Sequence, residues 1–268
     1  MFSTSLETLA VLKQVRDRPP LSSRLTMAGA LLHETYQLFR TFSQFTDLGL
    51  IREGIIDKNL LHKTSYNRRR IVWIALQHRY LKPAPQWVGN ALAQAATYGN
   101  QSPEFLSLGY LYFALRDQVT FQFITNVIWP TWQHSSIRLT HRDAMRFVRD
   151  LADKHPNANA WSETTKKRLA SSLLASLRDF GLLKGTATKT IQRPPVALET
   201  AYHLLCILWA EGKSGREIIN APDWQLFLWT ETDIVQALSQ LDQQGRVQFE
   251  KSGQTVMLQL PSTMGEEE

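Results

Sequence analysis

Prolines, glycines and capping residues cut this chain into helix-length stretches, and one stretch alone, Arg246–Leu260, alternates apolar and polar residues as a strand pair requires. That punctuation predicts a mainly α fold. The expected form is a helical bundle with helix-turn-helix or winged-helix-like units and a short C-terminal β-hairpin turning at Ser252-Gly253. A hydrophobic content of 43 % over 268 residues is enough to give such a bundle a core.

Apolar spacing places a first helix over Ser5–Arg18, ended by "RPPLSS", and a second over about Thr26–Phe45. A short helix capped by Thr46 or Asp47 follows and ends near Asn59. Next comes a helix over about Ser65–Leu81, with Ile71, Ile74, Ala75 and Leu76 facing inward until "KPAP" stops it. Several helices fill the middle third, one of them capped by Thr140. A further helix over Glu163–Phe180 ends at Gly181, a natural residue for the position past a helix end. The polar segment "TATKTIQRPP" reads as a connector. Beyond it, three helices and the hairpin follow the order of a winged helix-turn-helix. The expected divisions are an N-terminal helical extension (1–20), a basic helical domain (21–100), a central helical domain (101–190), a winged-helix-like module (191–262) and a disordered tail (263–268).

Charge is partitioned along the chain. Residues 1–100 hold 13 Lys+Arg against 6 Asp+Glu, residues 101–195 hold 13 against 7, and residues 196–268 hold 4 against 11. Within the basic part, two helices begin alike. "KTSYNRRRIVWIAL" (63–76) puts Arg68, Arg69 and Arg70 near a helix start, and "WSETTKKRLASSLL" (161–174) does the same with Lys166, Lys167 and Arg168. Cations there oppose the helix dipole, at a cost of roughly 0.3–1 kcal/mol each. Each of the two helices follows a polar turn and a preceding helix, the layout of a helix-turn-helix, whose second helix meets DNA with its N-terminal residues. The reading is therefore phosphate or groove contact through these six residues. Lys63, Thr64 and Asn67 flank the first start, Ser162 and Thr165 the second, and Thr64 and Ser162 serve as N-caps. A solvated charged face and the docking of an acidic partner protein stand as alternatives. Replacing the arginine triplet is expected to leave stability unchanged or slightly raised. The last helix, over Thr230–Gln244, is acidic and would repel DNA, which leaves Arg246 and Lys251 as minor candidates.

Chemistry of other kinds finds little support. "EGKSG" (Glu211–Gly215) resembles a phosphate loop but lacks the upstream glycine, Ile207 standing in its place. The histidines form no His-x₃-His pair, and Cys206, the one cysteine, sits in an apolar run as a packing residue. No catalytic residue, metal or cofactor is expected. A lone cysteine, no visible signal peptide and no apolar run near 20 residues point to the cytoplasm, with no membrane contact. Nothing in the sequence sets the oligomeric state.

The run "SSRLTMAGALLHETYQLFRTFSQFTDLGLIREGIIDKNLLHKTSYNRRRIVWIALQHRYL", with "LTHRDAMRFVRDLADKHPNANAWSETTKKRLASSLLASLRDFGLL" and "IQRPPVAL", resembles the BrxA family, small helical components of bacteriophage-exclusion (BREX) defence systems. The resemblance spans about Leu21–Leu198. It implies a non-catalytic protein that binds double-stranded DNA beside separate methyltransferase, ATPase and phosphatase-like components, which are further expected partners. Members have also been likened to the RNA-binding NusB fold and labelled inner-membrane proteins. An RNA-binding factor and a scaffold for acidic partners of the defence complex are thus the rival functions. The positions carried over are "KTSYNRRR" and "SETTKKR".

Overall fold

The computed structural model describes residues 10–16, 20–134 and 137–260. Half of the helix expected over Ser5–Arg18 (residues 5–9, 17 and 18), and the tail 263–268, lie outside them. The chain is mainly α with a small antiparallel hairpin near its C-terminal end. One helix is expected over Thr26–Phe45, but two are present, α1 (Leu25–Ala28) and α2 (Leu32–Thr41). Between them Gly29 (φ 55°) and Leu31 (φ 54°) adopt positive φ, which no right-handed helix continues through. α3 (Leu48–Ile56) starts at Asp47, whose Oδ1 accepts the Gly49 and Leu50 N–H groups at 2.8 and 3.0 Å.

α4 (Tyr66–Leu76) runs on through a π turn, Gln77–Leu81. α5 (Pro85–Ala96), α6 (Pro103–Leu115) and α7 (Gln118–Phe123) follow. A second π turn, Ile124–Ile128, joins α7 to α8 (Trp129–Gln133). Pro130 has no N–H and its ring crowds the carbonyl of Asn126, so the ladder widens there and carries the helix past it. Trp129 and Trp132, which bracket that proline, are half-buried against the core. α9 (His141–Lys154) opens with Thr140 and Asp143 capping each other, and α10 (Pro156–Asn159) leads to α11 (Glu163–Asp179). Gly181 closes α11 at φ 81°, as expected.

Three strands went unforeseen: β1 (Arg138–Leu139), β2 (Leu183–Lys184) and β3 (Lys189–Ile191), an antiparallel sheet in the order β1-β3-β2. Thr190 pairs with both Arg138 and Lys184. Strands of two and three residues are too short to show alternation, and the supposed connector supplies the central one. The last segment holds α12 (Leu198–Ala210), α13 (Gly215–Ile219), a 3₁₀ turn (Pro222–Phe227) and α14 (Glu231–Gln243), then β4 (Gln248–Ser252) and β5 (Thr255–Gln259). Ser252 pairs with Thr255 across the expected turn.

The core is continuous across residue 190. Tyr112 Oη meets His203 Nδ1 at 2.9 Å, Ser107 Oγ meets Thr200 Oγ1 at 2.7 Å, and Tyr110 Oη donates to the Leu226 carbonyl at 2.9 Å. Trp87 stacks on His203 with centroids 4.0 Å apart. Cys206 is buried among these groups, and burial pushes its thiol up to about 12.

Near the start of this core, His78 lies between Arg24 and Arg116, at 3.1 and 3.3 Å from their guanidinium nitrogens. Burial first, and then the two cations, hold its imidazole down at about 4. The folded state therefore resists a proton that the unfolded chain accepts near 6.5. Stability is full above that pH and is lost as pH falls toward 4. With a discount for partial exposure the loss is on the order of 2 kcal/mol. The melting temperature should drop over this window, and less steeply in a His78→Asn variant.

Candidate nucleic-acid interface

The first basic start folds differently from its sequence reading. Ser65, not Thr64, caps α4, its Oγ accepting the Arg68 N–H at 3.2 Å. Thr64 precedes the cap and is exposed. Ser65→Ala should therefore cost about 1 kcal/mol in thermal or chemical unfolding, and Thr64→Ala only a few tenths. Arg68 Nη1 donates to the carbonyl of Met27 at 2.8 Å, and Arg69 Nη1 to that of Ile56 at 2.5 Å. Those carbonyls lie at the C-terminal ends of α1 and α3. Helix ends of that kind leave oxygens without intrahelical partners and carry the negative end of the dipole. Two of the three arginines thus cap neighbouring helices. Lys63 is also committed, its Nζ lying 2.7 Å from Glu34 Oε1; burial raises that carboxyl, and the Lys63 contact more than offsets it.

Of the candidate contact residues at this start, Arg70, Asn67 and Thr64 are exposed. Ile74, expected inward, is 49 % exposed, while Val72, Trp73 and Leu76 are buried. With Arg68 and Arg69 holding carbonyls, replacing the triplet should lower stability, where the sequence alone predicts no loss.

The second start keeps more of its charge outward. Ser162 Oγ accepts the Thr165 N–H at 3.1 Å, and Leu169, Ala170, Leu173, Leu174 and Leu177 anchor α11 in the core. Lys166 Nζ lies 3.4 Å from Glu163 Oε1, which Arg149 also holds through Oε2 at 2.8 Å. Lys167 and Arg168 are exposed and make no ion pair or hydrogen bond among the described residues.

α9 packs on α11 and adds cations that were missed. Ala144, Met145, Phe147, Val148, Leu151 and Ala152 face the core. Arg142, Arg146 and Lys154 are consequently exposed, as is Arg138 on β1, and none has an ion pair or hydrogen bond among the described residues. Arg142 and Arg146 flank Asp143; burial raises its carboxyl, but hydrogen bonds from Thr140 and then these two charges hold it below the usual range. From Arg138 to Arg168, eight Lys+Arg stand against four Asp+Glu. A search keyed to contiguous triplets passes over cations one helical turn apart, although the apolar period of α9 marks their face.

α1 touches both α4 and α11. Residues 57–65 join α3 to α4 and residues 155–162 join α9 to α11. Both connections are longer than the three- or four-residue turn of a helix-turn-helix.

The C-terminal segment behaves otherwise. Lys213 pairs with Glu211, Arg216 and Lys251 with Glu231, and Arg246 with Glu199. All four of its cations are spent internally, Arg246 and Lys251 included. On its acidic helix, Asp233 is bound by Arg193 at 2.8 Å. Ser214 of the loop-like "EGKSG", with Glu217 two residues beyond it, caps α13.

Among the described residues no group of three or more His, Cys, Asp or Glu is placed to hold a metal, and no helix is long and apolar enough to cross a membrane. The sequence profile of the BrxA family matches residues 20–205. A crystal structure of an uncharacterized protein from Magnetospirillum magneticum is similar in fold, with TM-score 0.59 and 12 % identity over 79 % of this chain and 100 % of that one. No functionally curated protein matches.

Proposed function

This chain belongs to the BrxA family, and from that premise we propose that it is the non-catalytic, double-stranded DNA-binding component of a BREX anti-phage system, acting in the cytoplasm beside the other components. Membership suggests the BREX-associated role. DNA as the ligand is supported chiefly by one observation: Lys167 and Arg168 at the start of α11 and Arg142 on α9 are exposed and have no ion pair or hydrogen bond within the chain. Among the described residues most cations elsewhere are paired or hydrogen-bonded within the chain, Lys13, Arg40, Arg70, Lys82, Arg138 and Lys184 being exceptions, and the clustering of open cations on one helix pair suits an external polyanion. Arg70, with Asn67 and Thr64 beside it, forms a smaller contact on α4. Lys63, Arg68 and Arg69 hold the fold, and Lys166 is shared with Glu163.

Few groups suited to base edges accompany these charges, so binding is mainly to phosphate and largely independent of sequence. The C-terminal segment, its four cations paired internally and its acids in excess, packs in a winged-helix-like order and faces protein partners. Competition between a DNA duplex and a structured RNA tests the reading against an RNA-binding role, because the deep, narrow A-form groove does not admit a helix. Duplex DNA should displace the RNA at equal nucleotide concentration; the reverse order would overturn the proposal. A scaffold docking acidic proteins would instead keep its partners in a nuclease-treated lysate.

A further inference from the structure

A concavity of about 630 Å³ opens between the α7–α8 helix and α9, and Arg142, Lys167 and Arg168 are not among the residues that line it. Gln122 and Asn126 line it from one side, Arg146, Asp150 and Lys154 from the other, and Arg138 of β1 stands with them. Phe147 and Leu151, both buried, make its apolar part. The volume falls in the range of ligand sites, roughly 300–1,000 Å³. We infer that this slot is a second nucleic-acid site, one that takes an unpaired strand.

Three properties select that ligand. Arg138, Arg146 and Lys154 are all exposed without an ion pair or hydrogen bond among the described residues, so the slot offers anion contacts that the fold does not use. Arg146 and Lys154 are eight residues apart on one helix, about 12 Å along the axis. Separate phosphates in a row suit that spacing better than one compact anion. On the facing wall, Gln122 and Asn126 carry amides, each able to donate and accept in the plane, the chemistry that reads base edges. A duplex does not fit: the space between two neighbouring helices is narrower than a body whose major groove alone is about 12 Å wide. Asp143 takes no part, being tied to the Thr140 cap. Asp150, a turn from both Arg146 and Lys154, opposes the strand and so serves as an internal probe.

The slot and the proposed duplex contacts share no residue, and the test separates them. Fluorescence anisotropy would compare a labelled single strand of about twelve nucleotides, as DNA and as RNA, with a labelled duplex. Arg146→Ala with Lys154→Ala should weaken strand binding tenfold or more and leave duplex binding within about threefold, at an unchanged melting temperature. Asp150→Asn should tighten strand binding severalfold. Lys167→Ala with Arg168→Ala should do the reverse, weakening the duplex and sparing the strand. The ratio of DNA to RNA affinity assigns the strand's source. Equal losses on strand and duplex, no loss on the strand, or displacement of the strand by a polyglutamate peptide of equal charge would each overturn the inference. If the wild-type chain binds the strand and no duplex, the duplex reading fails and this site stands.

Discussion

Arg142→Ala, Lys167→Ala and Arg168→Ala, combined in one chain, are expected to weaken duplex binding at least about a hundredfold, since hydrogen bonds to charged groups contribute roughly 1.5–3 kcal/mol each. The dependence of log K on log salt should become shallower by up to about 2.7, or about 0.9 for each of three lost phosphate contacts. All three side chains are exposed without internal partners, so the melting temperature should stay within a degree or two. The contrast with α4 is the informative part. Replacing Arg68 and Arg69 removes the bonds to the Met27 and Ile56 carbonyls and should lower stability while changing the salt dependence little. Circular dichroism melts and anisotropy titrations on the two variants check both halves. If the α4 variant loses the larger part of the salt slope and keeps its stability, the assignment of roles is reversed.

That contrast marks where sequence reasoning stops. Caps are local, and Asp47, Thr140, Ser162 and Gly181 act where the sequence places them because each bonds within a few residues. The helical periods of α9, α11 and α14, the burial of Cys206 and the Ser252–Thr255 turn were legible for the same reason. Arg68 and Arg69 were misread because the carbonyls they hold lie 41 and 13 residues away and arrive only through tertiary packing. Leu31 at positive φ could not be foreseen, since nothing in leucine favours that conformation. β3 reads as a linker in the sequence because it and its pairing partners, β1 and β2, run only two or three residues each. The site itself was half legible. Two basic starts were visible, but which cations are free is decided by what packs beside them, and α9 entered only through its exposed face.

A second large effect is expected at Arg16. Its guanidinium bridges Glu211 and Asp223, with Nη1 at 2.5 Å from Asp223 Oδ1, and so ties the N-terminal segment to the C-terminal one. Asp223 is only 2 % exposed. Burial raises the carboxyl of Glu211, but Arg16, with Lys213, more than reverses that and holds it ionised below its usual range. Arg16→Ala leaves a buried carboxylate without its counter-ion, a change that costs about 3 kcal/mol, the low end of the range because Arg16 is itself partly exposed. For a chain of this size the melting temperature should fall by roughly 6–12 °C. Lys13→Ala, at an exposed cation three residues away, should have no measurable effect. Arg16→Met, which restores bulk without charge, should recover little. Full recovery by methionine would show that packing, and not the ion pair, holds the two segments together.

Whether Arg142, Lys167 and Arg168, with Arg70 of α4, await a polyanion is tested most directly by titrating a labelled duplex with wild-type protein freed of nucleic acid, from low to physiological ionic strength. Four or more phosphate contacts predict tight binding at low salt and a fall of log K with log salt of slope about −3.6 or steeper. A duplex that stays free at the lowest salt, or an affinity indifferent to salt, contradicts that claim.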